Sequence, residues 1–145
     1  MASLAHVGIV VVDLEKAMAE MSLGLGVEWK EVQIRQNGPV TLRVTFSKKA
    51  PFLELIQGQP GSSWDTSKGS HLQHLAYWTD DFEGDKKRLI EAGSALEREG
   101  IAPFGGAWSY HQNASGGFRI ELCDTRGRQA WMDCWGMSEQ DMEGL

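Results

Sequence analysis

Four residues carry the chemistry this sequence offers: His6, Glu54, His74 and Glu121. Each histidine opens a similar run, HVGIVVVDLE from His6 and HLAYWTDDFE from His74. Each glutamate lies inside an apolar run, FLEL around Glu54 and FRIEL around Glu121. His6 and Glu54 are 48 residues apart, and His74 and Glu121 are 47 apart, so the pairing repeats at nearly constant distance. A carboxylate in an apolar strand needs a cation, hydrogen bonds or a shifted pKa to remain there. One such glutamate is satisfied by water on an open face. Two at matching positions, each paired with a histidine, point to a shared ion. Two imidazoles and two carboxylates form a mixed nitrogen and oxygen donor set, which suits Ni²⁺, Zn²⁺, Co²⁺, Mn²⁺ or Fe²⁺. Four protein donors leave two places in an octahedron for two oxygens of a substrate.

The elements that must position these groups follow from the same repeat. The apolar run after each histidine reads as a buried strand. Asp13 and Asp81 each sit seven residues beyond their histidine and read as helix N-caps. The helices are expected over Leu14–Leu23, stopping near Gly24 and Gly26, and over Phe82–Ala92, stopping at Gly93. Strand character recurs over Glu28–Arg35, Val40–Phe46, Ala95–Glu99 and Ala107–Gln112. Each half therefore reads strand, helix, strand, strand, strand. This predicts an α+β chain with a first βαβββ module over 1–60 and a linker over 61–70. A second module follows over 71–135, with a polar, poorly ordered tail over 136–145. The Gly-, Ser- and Pro-rich stretch Gln57–Ser70 is the joint.

Composition excludes several classes. The formal net charge of −6 argues against nucleic acid and anionic membrane surfaces as partners. No apolar run approaches the ~20 residues that cross a bilayer, and the start lacks a basic signal-peptide region. The expected location is the cytoplasm. Cys123 and Cys134 are too far apart for a CxxC motif and read as reduced thiols. Six tryptophans fit a rich core or an aromatic-lined cavity.

The segments HVGIVVVDLEKAM and HLAYWTDDFEGDKKRLIEAG, each opening a half, and FLELI and GGFRIELCD, each closing one, resemble the vicinal oxygen chelate superfamily. That group includes glyoxalase I, methylmalonyl-CoA epimerase, extradiol dioxygenases, fosfomycin-modifying enzymes and metal-free bleomycin-binding proteins. The resemblance spans roughly residues 4–135. It implies two modules forming a curved, half-barrel-like sheet around a central cavity, with metal ligands at His6, Glu54, His74 and Glu121. A His-Glu-His-Glu set resembles that of bacterial glyoxalase I. The epimerase pattern usually has Gln where this chain has Glu54, and the dioxygenases commonly use two His and one Glu. No set of basic residues matches the glutathione-binding pattern.

The expected function is that of a glyoxalase I-type lyase or isomerase. Its substrate is a small oxygenated molecule held through two oxygens, and a glutamate moves a proton next to a carbonyl. Glu121 is preferred over Glu54 as that base. Trp78 shares a strand face with His74 and is expected in the substrate pocket, as are Trp108 and Tyr110, which follow a Gly pair. Arg43 and Arg119 are expected to hold an anionic substrate group. His71 does not align with His6 and is read as structural. The alternatives are a metal-free protein that sequesters an aromatic antibiotic or metabolite, and an Fe(II) extradiol-type dioxygenase. The expected assembly is a homodimer.

Overall fold

The computed structural model describes residues 2–113 and 115–143. Met1 and the last two residues of the expected tail lie outside the described residues. The chain is α+β, and the strand-helix-strand-strand-strand pattern occurs twice. The first copy is β1 (Ser3–Val10), α1 (Leu14–Leu25), β2 (Gln33–Asn37), β3 (Val40–Phe46) and β4 (Phe52–Gln57). The second is β5 (His71–Thr79), α2 (Phe82–Glu91), β6 (Leu96–Ile101), β7 (Ala107–Asn113) and β8 (Phe118–Asp124). A 3-10 turn over Thr125–Gly127 leads into α3 (Arg128–Trp135), and α4 (Glu139–Met142) follows.

Compactness divides the chain differently from the repeat. One unit holds the chain up to His6 together with His74–Ser138, and the other holds Val7–Gln73 with the chain from Glu139. The boundaries therefore fall within β1 and β5, where single strands are shared between groupings, rather than at the 61–70 joint.

In the unit built on Val7–Gln73, β2 pairs with β3 and β3 with β4, all antiparallel. The core forms where Val11, Leu14 and Leu55 meet Ile9, Ala17 and Met18 of β1 and α1. Side chains alternate across a strand, so Leu55 and Gln57 face α1 while Phe52, Glu54 and Ile56 face away. Asp13 caps α1, its carboxylate accepting from the Lys16 N–H at 3.0 Å. The helix runs past Gly24 and ends at Gly26, which takes the left-handed conformation at φ 70°. That conformation is strained for residues with a Cβ, and it sets the stop two residues later than expected. Regular strand pairing begins at Gln33, not Glu28. Residues 28–30 run beside Phe46–Lys48 through a single bridge, Trp29 to Ser47, and irregular hydrogen bonds.

The joint is ordered within this unit. Trp64 is buried against Gly58, and Gln73 donates to the Ser63 carbonyl at 2.9 Å. The tail departs from its expected disorder: α4 is formed, and the Ala50 N–H donates to the Asp141 carbonyl at 2.8 Å.

In the other unit β5 pairs with β8 in parallel, β8 with β7 and β7 with β6 antiparallel. Asp81 caps α2, accepting from the Gly84 N–H at 3.2 Å. Thr79 hydrogen-bonds Asp85 of α2, so α2 covers the face carrying Leu75, Tyr77 and Thr79. His111 is buried beneath it, with Nε2 3.0 Å from the Ser109 hydroxyl and Nδ1 3.2 Å from the Ser94 carbonyl. Helix α3 was not anticipated from sequence. Trp131 and Trp135 stand at i and i+4 with Met132 beside them, and all three are buried. No helix among the described residues is long and apolar enough to cross a membrane.

Candidate metal centre

The face of β5, β8 and β7 turned away from α2 is set by register. Partners across neighbouring strands project to the same side. One row across β5, β8 and β7 is Trp78, Cys123 and Trp108; the next is Ala76, Glu121 and Tyr110; the next is His74, Arg119 and Gln112. His74 and Glu121 are therefore diagonal neighbours. Parallel pairing of β5 with β8 places the histidine that opens the module beside the glutamate that closes it.

His6 joins them from β1. Ile9 packs with the α1 core, so alternation along β1 turns His6 to the other side. His6 Nε2 lies 3.0 Å from His74 Nε2. Glu121 Oε2 lies 3.2 Å from each of these nitrogens. The three side chains are enclosed: His74 is fully buried, His6 nearly so, and the Glu121 side chain is 12% exposed. Tyr110 closes one flank, its ring 5.2 Å from that of His74.

Protons alone do not satisfy this triangle. An imidazole nitrogen has one directed valence in the ring plane, either a lone pair or an N–H. Each nitrogen here has two neighbours at contact distance, so at least one contact must set like against like. A cation at the centre takes one lone pair from each donor. Donors bound at roughly 2.0–2.2 Å stand about 2.8–3.1 Å apart when cis in an octahedron and about 3.3–3.6 Å apart in a tetrahedron. The observed separations of 3.0, 3.2 and 3.2 Å run from the octahedral spacing to just short of the tetrahedral one. The donor set and its spacing fit a divalent ion. Burial pushes the Glu121 carboxyl up, but hydrogen bonds and attraction from His6 and His74 outweigh it and hold the group below the usual carboxylate range. That direction favours the carboxylate, the form in which a glutamate binds a metal.

The remaining expected residues are distributed as follows. Glu54 lies in β4 opposite Phe46, on the face away from α1, with Phe52 and Ile56 buried on either side of it. Arg43 pairs with Gln57 and projects to the α1 face, opposite to Glu54. Its guanidinium is engaged there by Glu15, with Nη1 3.1 Å from Oε2, and by Gln57 at 3.3 Å. Arg43, expected to hold an anionic substrate group, is thus presented by β3 to the helix side. Arg35, which sequence reasoning passed over, is the arginine on Glu54's face, since it pairs with Leu42. Only the register of β2 against β3 reveals this. Arg119 does lie on the metal-centre face, but Glu97 holds its guanidinium by two bonds of 2.6 and 2.8 Å. Trp78, Trp108 and Tyr110 all lie on that face. His71 is exposed, with Nδ1 3.1 Å from the Gly69 carbonyl.

Solved structures share the fold. Methylmalonyl-CoA epimerase from Mycobacterium tuberculosis matches with a TM-score of 0.62 and 21% identity, covering 83% of this chain and 86% of its own. Methylmalonyl-CoA epimerase in complex with methylmalonyl-CoA and NH4+ matches at 0.67 and 15% identity, covering 99% of each chain. A variant of 4-hydroxymandelate synthase from Streptomyces coelicolor matches at 0.64 and 16% identity, over 85% of this chain and 48% of that one. Comparison with curated proteins finds no match. The sequence pattern of one family covers residues 5–111, from the start of β1 through most of β7. Together with the repeated βαβββ pattern, that match means the chain belongs to the Glyoxalase/Bleomycin resistance protein/Dioxygenase superfamily.

Proposed function

We propose that this chain is a divalent-metal-dependent isomerase or lyase that moves a proton next to a carbonyl in a small substrate held through two oxygens. The observation that carries the proposal is the His6–His74–Glu121 triangle, whose donor separations of 3.0 to 3.2 Å fit one ion. In this reading His6, His74 and Glu121 hold the ion and Glu54 completes the donor set. The repeated histidine–glutamate spacing supports the fourth donor, as does the projection of Glu54 from the face away from α1. The bound ion supplies Lewis-acid stabilisation of negative charge developing on the substrate oxygens. Glu54 takes the proton from the carbon beside the carbonyl and returns it, with no oxidant or reductant consumed. Its position between Phe52 and Ile56, and the commitment of Glu121 to two histidines, support Glu54 as the base over Glu121, the choice preferred from sequence. Ni, Zn, Co and Mn all suit such donors. Cys123 and Cys134 are not in a disulfide, which supports a cytoplasmic location, and a symmetric homodimer is the assembly proposed.

The test is deuterium wash-in. Metal-loaded protein is incubated in D2O with α-hydroxyketones, thiol–ketoaldehyde adducts and 2-methylmalonyl thioesters, and exchange at the carbon next to the carbonyl is followed by NMR. Exchange should require the metal. Glu54→Gln should lower it roughly 10²–10⁴-fold, the usual loss for a positioned base, at a metal concentration raised until His6, His74 and Glu121 are loaded. Undiminished exchange in that variant would remove Glu54 from the mechanism.

A second reading has its own observation. Two histidines and one carboxylate also make the facial triad of Fe(II) oxygenases. Under that reading the iron-loaded protein consumes oxygen with a catechol-like substrate, and Glu54→Gln leaves this consumption intact.

A further inference from the structure

Next to the metal donors, the row Trp78, Cys123 and Trp108 has features the ion does not explain. Trp108 is half-buried and pairs across β6 with Gly100. A Cβ at Gly100 would stand 3.2 Å from the Trp108 indole, so the ring lies over β6 because no side chain occupies that place. It leans away from β8. Trp78 meets Trp131 of α3 edge-on, with ring centroids 5.7 Å apart. Cys123 lies between them and is only half-buried. The Trp78 side chain is more than nine-tenths buried, and its indole N–H has no hydrogen-bond partner among the described residues. A buried indole N–H ordinarily has an acceptor, and indole nitrogen can only donate.

We infer that this row is a specificity slot: Trp78 and Trp108 flank a planar, apolar part of the substrate above Cys123, and the Trp78 N–H donates to an oxygen on it. The inference rests on the metal-dependent reading above and adds the class of substrate, an aromatic compound bearing two adjacent oxygens at the end nearest Glu121. Glu121 and Cys123 are two residues apart on one strand face, so a group held at the triad enters the row without turning. Aromatic side chains on both flanks favour a flat ring over a flexible acyl chain by stacking.

The probes are phenylglyoxylate and pyruvate, which share an α-keto acid head and differ by the ring. Their affinities are read by tryptophan fluorescence on the full chain, with and without Zn²⁺. Phenylglyoxylate should bind several-fold to about tenfold tighter, the value of one well-placed aromatic contact. Cys123→Phe fills the slot and should abolish that preference while leaving pyruvate and Zn²⁺ affinities unchanged. Trp78→Phe keeps a ring but removes the donor, and should reduce the preference several-fold. Equal affinities for the two probes, or a preference that survives Cys123→Phe in folded protein, would overturn the slot. Failure of Zn²⁺ to bind would overturn the metal reading instead, and the ratio of the two probes on metal-free protein would still decide the slot.

Discussion

Replacing Glu121 by Gln tests the metal centre through stability. A ligand that binds only the folded chain stabilises it by about 2.7 kcal/mol when present at a hundred times its dissociation constant. Unfolding entropy of about 2.1 cal/mol/K per residue gives roughly 0.3 kcal/mol/K for this 145-residue chain. The wild-type melting temperature should therefore rise by about 9 °C. Glu121 is one of three donors within 3.2 Å of one another and the only anion among them. Changes in residues that merely orient ligands already weaken metal binding about 10–100-fold, so losing the donor should cost at least the upper value. At the same metal concentration a site about a hundredfold weaker keeps roughly 0.4 kcal/mol, a shift of little more than 1 °C. The assay is scanning calorimetry of chelator-stripped protein with and without Ni²⁺, Zn²⁺, Co²⁺, Mn²⁺ or, under nitrogen, Fe²⁺. His71→Ala serves as a control for adventitious histidine binding and should shift like the wild type. If no metal raises the wild-type midpoint by more than it raises that of Glu121→Gln, the triangle is not a metal centre.

Further outcomes follow from other parts of the molecule. Leu55 is 1% exposed in the core against α1, so Leu55→Ala should cost about 2–5 kcal/mol in urea titration; a loss under about 1 kcal/mol would contradict that packing. Burial pushes His111 below the ordinary imidazole value, outweighing its bond to Ser94, with Lys86 and Glu99 as the charged groups acting on it. The folded chain therefore holds it neutral. Its contribution is complete above the unfolded value of about 6.5 and is lost as pH falls below it, because the unfolded chain then binds the extra proton. Urea midpoints from pH 7.5 to 5 should fall less steeply for His111→Gln than for wild type. Arg43→Ala should leave KM and kcat unchanged in the deuterium assay, since Arg43 faces α1; a raised KM would return it to the substrate side.

Local pattern was enough for much of this protein. Two histidines opening apolar strands, two acids embedded in later strands, and Asp13 and Asp81 ahead of helices are all features whose cause lies within a few residues. The repeat then assembled them into two βαβββ modules, and His6, His74 and Glu121 are indeed together. What depended on pairing between distant segments was not legible. Arg43 and Arg35 are equally plausible in sequence, but a strand's side chains change face with every residue, and register alone chose which arginine shares a face with Glu54. Helix α3 was missed because its three buried residues make too short a period to separate from a strand end. The row of Trp78, Cys123 and Trp108 exists only because β5 runs parallel to β8 and β7 antiparallel to it. Hydrogen bonds between strands fix which residues stand opposite each other, and no local propensity carries that information.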